Sequence, residues 1–210
     1  MSSVVQICNM ALARVGVSSF ISSLSEATNE ARICSLFYEP MRDFALRDGL
    51  WNFAKKQQML ANAGTPPEQW AFKYALPDDF LKARFIWMPG TPVLPGTYEV
   101  PGQTIFIQEQ RVRFEIAISG GQKVLYTNQP EAELVYTARI EDPTIYDPIF
   151  TSALAYLLAS EIAMPLSVLP KMAETARKAY EQTVSMAAAH SMSEGYEGQP
   201  PESELTMIRR

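Results

Sequence analysis

Histidine is almost missing from this chain: His190 stands alone among 210 residues. One imidazole excludes a metal centre built on several histidines, and a Ser-His-Asp triad would have to recruit a residue at the end of the last helical stretch. Cysteine is nearly as scarce. Cys8 and Cys34 fall on the apolar stripes of two separate helical patterns, which reads as two small buried thiols rather than a disulfide or a metal pair. No apolar run approaches the roughly 20 residues that a bilayer span requires. The opening residues, Met1-Ser2-Ser3-Val4-Val5-Gln6, carry neither the basic flank nor the apolar block of a secretory leader, so the reading is a soluble protein made in the cytosol. Positive charge is in deficit, with 18 Lys and Arg against 23 Asp and Glu, a net charge of -5. That balance argues against a surface that grips nucleic acid widely, since such grip comes from cations neutralising phosphates. Phosphate-cradling Gly-rich loops, nucleophile elbows, metal-ligand spacings and dinucleotide fingerprints do not occur, and no cofactor is expected.

What the chain does have is apolar content, 47% of its residues, enough for a real core in one domain or two small ones. Val4, Ile7, Cys8, Ala11, Leu12 and Val15 recur at spacings of three and four and predict a helix that Gly16 stops. Ser23 and Glu26 have capping-box spacing for a second helix. In that helix Ala31, Cys34, Tyr38, Met41 and Ala45 form one stripe, and Ile33, Leu36, Phe37 and Phe44 widen it beyond the needs of a lone surface helix. Pro40 predicts a kink or break there, and Gly49 an end. Near the other end of the chain, Ile149, Phe150, Ala153, Leu154, Leu157, Leu158 and Ile162 predict a third helix bounded by Pro165 and Pro170. Lys171 to about His190 predicts a fourth, Ala-rich helix.

Between these the period changes. Trp70-Ala71-Phe72-Lys73-Tyr74 alternates as an extended segment does, and Leu76-Pro77-Asp78-Asp79 has the form of a short helix start. Residues 88 to 97 carry Pro89, Pro92 and Pro95, which excludes a central strand. Val112, Phe114, Ile116 and Ile118 face one way, Arg113, Glu115 and Ala117 the other, and Gly120-Gly121 turns the chain into Lys123 to Thr127. Thr104 to Ile107 and Leu134 to Ile140 add strands, giving one antiparallel sheet of about three to five strands. The stretch from Ser191 to Arg210 holds Gly195, Gly198, Pro200-Pro201 and four acids, too little apolar surface to fold alone. Leu205, Met207 and Ile208 within it suit an arm that orders against a partner.

Candidates for chemistry are few. Asp78-Asp79 and Glu141-Asp142, with Asp147, contain the carboxylates that general acid and base catalysis would need. Each pair sits beside a proline at an element boundary, where acids serve caps and turns. Glu161 stands within an apolar helical face, as a buried functional acid or an interface charge would. Arg111, Arg113 and Lys123 flank the hairpin and are the candidates for contact with DNA or an interface. Trp51, Phe53, Trp70 and Trp87 have faces on which bases stack, but aromatic residues so spaced also build cores.

Several short motifs occur in a particular order: Glu30-Ala31-Arg32, Trp51-Asn52-Phe53-Ala54, Tyr74 to Phe80, Tyr136-Thr137-Ala138-Arg139, and Asp147-Pro148 onward to Ala163. In this order and spacing, over most of residues 4 to 185, the chain resembles the head-to-tail adaptor, or connector, family of tailed phages. That family includes the tail tubular protein A group of short-tailed phages. The resemblance implies a helical domain plus a β-rich domain; with the patterns above, the expectation is an α+β protein with a bundle of about four helices from both chain ends (1–54 and 143–190), a small central antiparallel β-sheet domain (55–142) and, from its composition, an extended or disordered C-terminal arm (191–210). It further implies a structural virion protein at the head-tail junction, assembled in the host cytoplasm, and not an enzyme. Copies form a ring, usually of twelve, that joins the portal protein to tail or nozzle proteins and continues the DNA channel. On this reading Trp51, Phe53, Tyr74 and Pro77 are structural anchors, and Leu205, Met207, Ile208, Arg209 and Arg210 form a portal-docking arm. The alternative is a virion-associated cell-wall hydrolase on the same scaffold, using acids such as Asp78 and Asp79.

Overall fold

The computed structural model describes residues 2–87, 98–100, 103–105 and 112–193. The protein is a mixed α+β structure with four helices: α1 (Val4–Arg14), α2 (Asn29–Asp48), α3 (Pro148–Ile162) and α4 (Pro170–Ser193). Its strands are β1 (Lys55–Met59), β2 (Phe72–Ala75), β3 (Phe80–Trp87), β4 (Tyr98–Val100), β5 (Gln103–Ile105), β6 (Phe114–Ser119), β7 (Gln122–Thr127) and β8 (Glu133–Ala138). The expected Pro-rich loop at 88–97 lies outside the described residues, as do Arg111 and the arm from Glu194 onward. The first three residues assigned to that arm, 191–193, belong instead to α4.

Helix ends follow local chemistry. Ser3 caps α1 by accepting from the Gln6 amide, and Gly16, at φ +80°, supplies the left-handed residue after it. Thr28, not Ser23, caps α2, accepting from the Ala31 amide. Glu26 is used one turn earlier: its Oε1 accepts from the amides of Ser22 and Ser23 and shapes the preceding loop. Pro40 does not end α2. Pro40 and Leu36 lie on the exposed side of α2, and the helix runs on through Asp48 with the proline inside it. Asp147 caps α3 with Oδ1 at 2.7 Å from the Ile149 amide.

α3 is apolar on nearly every side, burying Phe150, Ala153, Leu154, Leu157, Leu158 and Ile162, because it packs against α4, α1 and α2 at once. Arg14 of α1 donates to the Ser152 carbonyl and hydroxyl of α3 at 2.8 and 2.9 Å, and its guanidinium lies over the Tyr156 ring at 3.5 Å. Tyr180 of α4 donates to Asp48 of α2 at 2.7 Å.

Two expectations fail in the strand region. The strands make two antiparallel three-stranded sheets, ordered β1-β8-β3 and β2-β7-β6, with a separate β4-β5 ladder, rather than one sheet. The consecutive strands β7 and β8 do not pair. Between them Pro130 lacks an amide donor and Glu131 sits at φ +48°, so the chain leaves one sheet for the other. The second failure is the helix predicted from Pro77. A tight turn forms there, the Phe80 amide donating to the Pro77 carbonyl at 3.1 Å, and β3 begins at Phe80. Pairing with β8 along most of its length outweighs the local cap-like pattern. One continuous core contains residues of α1, α2, α3, α4, β2, β3, β7 and β8.

Candidate interaction surfaces

The stretch after α2 shows how the helices and the first sheet are joined. Gly49 ends α2, and a Cβ there would lie 2.5 Å from Trp51 Nε1, so only glycine lets the indole press against the backbone. Trp51 Nε1 donates back to the Ala45 carbonyl at 2.8 Å, which closes the turn. Its ring meets Phe150 of α3 edge-on at 5.0 Å, and Phe53 and Tyr146 pack on the same Phe150 at 5.1 and 4.9 Å. Arg84 of β3 completes the junction, donating to the Trp51 carbonyl at 2.6 Å and to Thr137 Oγ1 of β8 at 3.0 Å. Burial of this guanidinium lowers its affinity for the proton. Trp51 thus meets α2 and α3 through its ring and the first sheet through its carbonyl, while Phe53 packs on the ring of Phe150.

Two further polar clusters stitch strand ends to helices and to each other. Asp43 of α2 accepts from Arg139, just beyond β8, at 2.8 Å, and from the buried Arg42 at 2.9 Å. Asp79 accepts from Lys56 of β1 at 2.6 Å and from the Tyr136 hydroxyl of β8 at 2.9 Å. Burial opposes its charge, but Lys56 and Tyr136 together outweigh that and hold the carboxyl below its ordinary value. Burial and the Asp79 carboxylate push the Tyr136 phenol up. Neither Arg84 nor Arg139 was singled out from sequence as half of a specific contact, because the partner in each case lies 33 or more residues away.

The remaining candidates take the following places. Tyr74 is buried and donates to the Gln129 carbonyl at 3.1 Å, while Pro77 contributes its carbonyl to the turn before β3. Asp78 is exposed, Asp142 holds the Thr144 amide at 2.9 Å, Asp147 caps α3, and Glu161 is half-buried. Cys8 and Cys34 are free and buried; the influence of the neighbouring thiol, with burial, pushes Cys8 up, while the influence of Cys8 pulls Cys34 down. Among the described residues no His, Cys, Asp and Glu cluster is placed to hold a metal ion, and no helix is long and apolar enough to cross a membrane.

Arg113 and Lys123 do not form one patch. Lys123 pairs with Ile118, and therefore lies on the face of Phe114, Ile116 and Ile118, whereas Arg113 falls on the opposite face with Glu115 and Ala117. There its guanidinium covers Trp70 at 4.9 Å, and Glu115 accepts from Trp70 Nε1 at 3.2 Å. Trp70, Val124 and Tyr126 make a small second cluster on that side. On the other face the apolar alternation runs past the core, leaving Ile116 39% and Ile118 75% exposed. Arg111, Leu205, Met207, Ile208, Arg209 and Arg210 lie outside the described residues, as does the side chain of His190.

A different surface escaped sequence reasoning. Every residue of β1 is exposed, although β1 lies beside β8, whose Leu134, Val135, Tyr136, Thr137 and Ala138 are all buried. Lys-Lys-Gln-Gln-Met has no alternation to mark a strand, so only its pairing partner makes it one. Neither a family model nor a curated protein matches the chain.

Proposed function

We propose that this chain is a structural head-to-tail adaptor of a tailed phage, similar to the tail tubular protein A group, whose work is assembly. In this reading the chain ends, 1–54 and 143–190, form a helical domain and 55–142 a β-rich one, with a C-terminal arm. Copies close into a ring, usually of twelve, which joins portal to tail or nozzle proteins and continues the DNA channel. The observation that carries the reading is the Trp51 junction. One of the motifs whose order and spacing make the resemblance, Trp51-Asn52-Phe53-Ala54, lies where α2, α3 and the first sheet meet.

A closed ring requires two different complementary faces on each copy. Exposed apolar groups on separate elements, Leu36 at 68% on α2 and Ile118 on β6, supply material for such faces. A net negative chain lining a channel repels DNA phosphates and lets the duplex slide. Negative-stain imaging of the protein mixed with portal rings should reveal annular complexes; a persistent monomer under all such conditions overturns the reading. Removing residues 194–210 should leave the described fold intact and weaken docking on the portal or a neighbour, and unchanged affinity rejects the arm's role.

A further inference from the structure

β1 forms an edge whose open hydrogen-bonding groups can be named. The Leu60 amide donates to the Ala132 carbonyl at 2.9 Å and the Ala138 amide to the Ala54 carbonyl at 2.8 Å, bracketing the β1-β8 ladder. With Lys56 opposite Tyr136 and Gln58 opposite Leu134, the even-numbered residues exchange bonds with β8. The amides and carbonyls of the odd-numbered residues therefore turn outward. Lys55 places its amide on the Asn52 carbonyl at 3.1 Å. Gln57 and Met59 present theirs to the outside, and among the described residues no strand pairs on that side. The side chains of Lys55, Gln57 and Met59 share one face, ordered from cationic through polar to apolar. Such an edge, without proline or bulge and with no cover among the described residues, is a template for strand addition.

We propose that the occupant is the segment Glu204–Ile208 of a neighbouring copy, added parallel to β1. On alternate positions that segment carries Glu204, Thr206 and Ile208, ordered from anionic through polar to apolar. Laid parallel, Glu204 falls beside Lys55, Thr206 beside Gln57 and Ile208 beside Met59; laid antiparallel, the charge meets Met59 instead. Lys55 has no ion-pair partner among the described residues, whereas Lys56 is held by Asp79. The stretch from Ser193 to Glu204 reaches about 35 Å when extended, enough to leave one copy for the next. This inference deepens the reading of the chain as a self-associating adaptor and rests on it for the neighbouring copy.

Residue-resolved amide exchange on the full chain, over a range of concentrations, tests it. The Gln57 and Met59 amides should slow by about tenfold or more as concentration rises. Glu204→Lys and Lys55→Glu should each abolish that slowing, and the two together should restore it. Gln57→Pro removes an outward amide that β8 does not use, so it should keep the circular dichroism of the parent and lose the association. Protection independent of concentration, protection surviving Glu204→Lys, or no protection at all overturns the proposal. Annular particles whose Gln57 amide stays fast reject this contact while leaving the ring reading standing. Arm-dependent protection without annuli supports the contact and rejects the ring.

Discussion

Trp51 and Trp70 are buried to nearly the same degree, 4% and 5% exposed, and both donate their indole N–H to a partner. Their surroundings differ in kind. Trp51 sits where α2, α3 and the first sheet converge, against Phe53 and Phe150 and over a glycine whose missing side chain admits it. Trp70 rests on the outer side of the second sheet with Val124 and Tyr126, roofed by the exposed Arg113. Burial alone does not rank the two. What ranks them is how many elements lose contact when the ring is removed.

The largest effect is therefore expected at Trp51. Trp51→Ala should cost about 3–5 kcal/mol in urea denaturation, the range for deleting a packed aromatic, and lower hydrogen-exchange protection in α3 and β8 together. Gly49→Ala should follow at about 1–3 kcal/mol, because the indole must move aside, and a loss as large as that of Trp51→Ala would show that the turn depends wholly on this approach. Trp70→Ala should cost less than Trp51→Ala, with exchange rising in β6 and β7 while the helices stay protected. Equal cost at Trp70 and Trp51 would show that the two rings hold the fold together equally. The smallest effect concerns Asp79. Its folded carboxyl is held below its unfolded value of about 3.9, so its stabilisation is present above that value and drains away as pH falls through the folded one. Asp79→Asn should flatten the acid limb of a plot of urea midpoint against pH, and an unchanged limb would show that the Lys56 and Tyr136 contacts carry no net weight.

The same contrast explains what could be read from residues alone. The helices were legible because 3.6-residue periodicity is local: Ile7, Cys8, Ala11 and Leu12 announce their face without reference to any partner. The β6-β7 hairpin was legible because alternation and Gly120-Gly121 lie side by side. The strand β3 was misread as a helix, since Pro77-Asp78-Asp79 imitates a cap and the competing term, pairing with β8, comes from more than 40 residues away. The strand β1 was invisible for the same reason. Of the candidate site, Trp51-Asn52-Phe53-Ala54 is visible as a motif, while the contacts of Arg84 and Arg139 and the open edge of β1 are not, because an arginine's role depends on which carbonyl or carboxylate the fold brings to it.

Composition and periodicity by themselves determined that this chain builds a core, places four helices and a glycine-turned hairpin, and carries few residues suited to metal chemistry. They act through neighbours within a few positions, whose geometry the backbone dictates. Only the tertiary structure decided that the strands divide into two sheets, that Arg113 and Lys123 part to opposite faces, and that β1 stands bare beside buried β8. Strand pairing, ion pairing and exposure are settled between residues far apart in the chain, and their energies exist only once the core has brought those residues together.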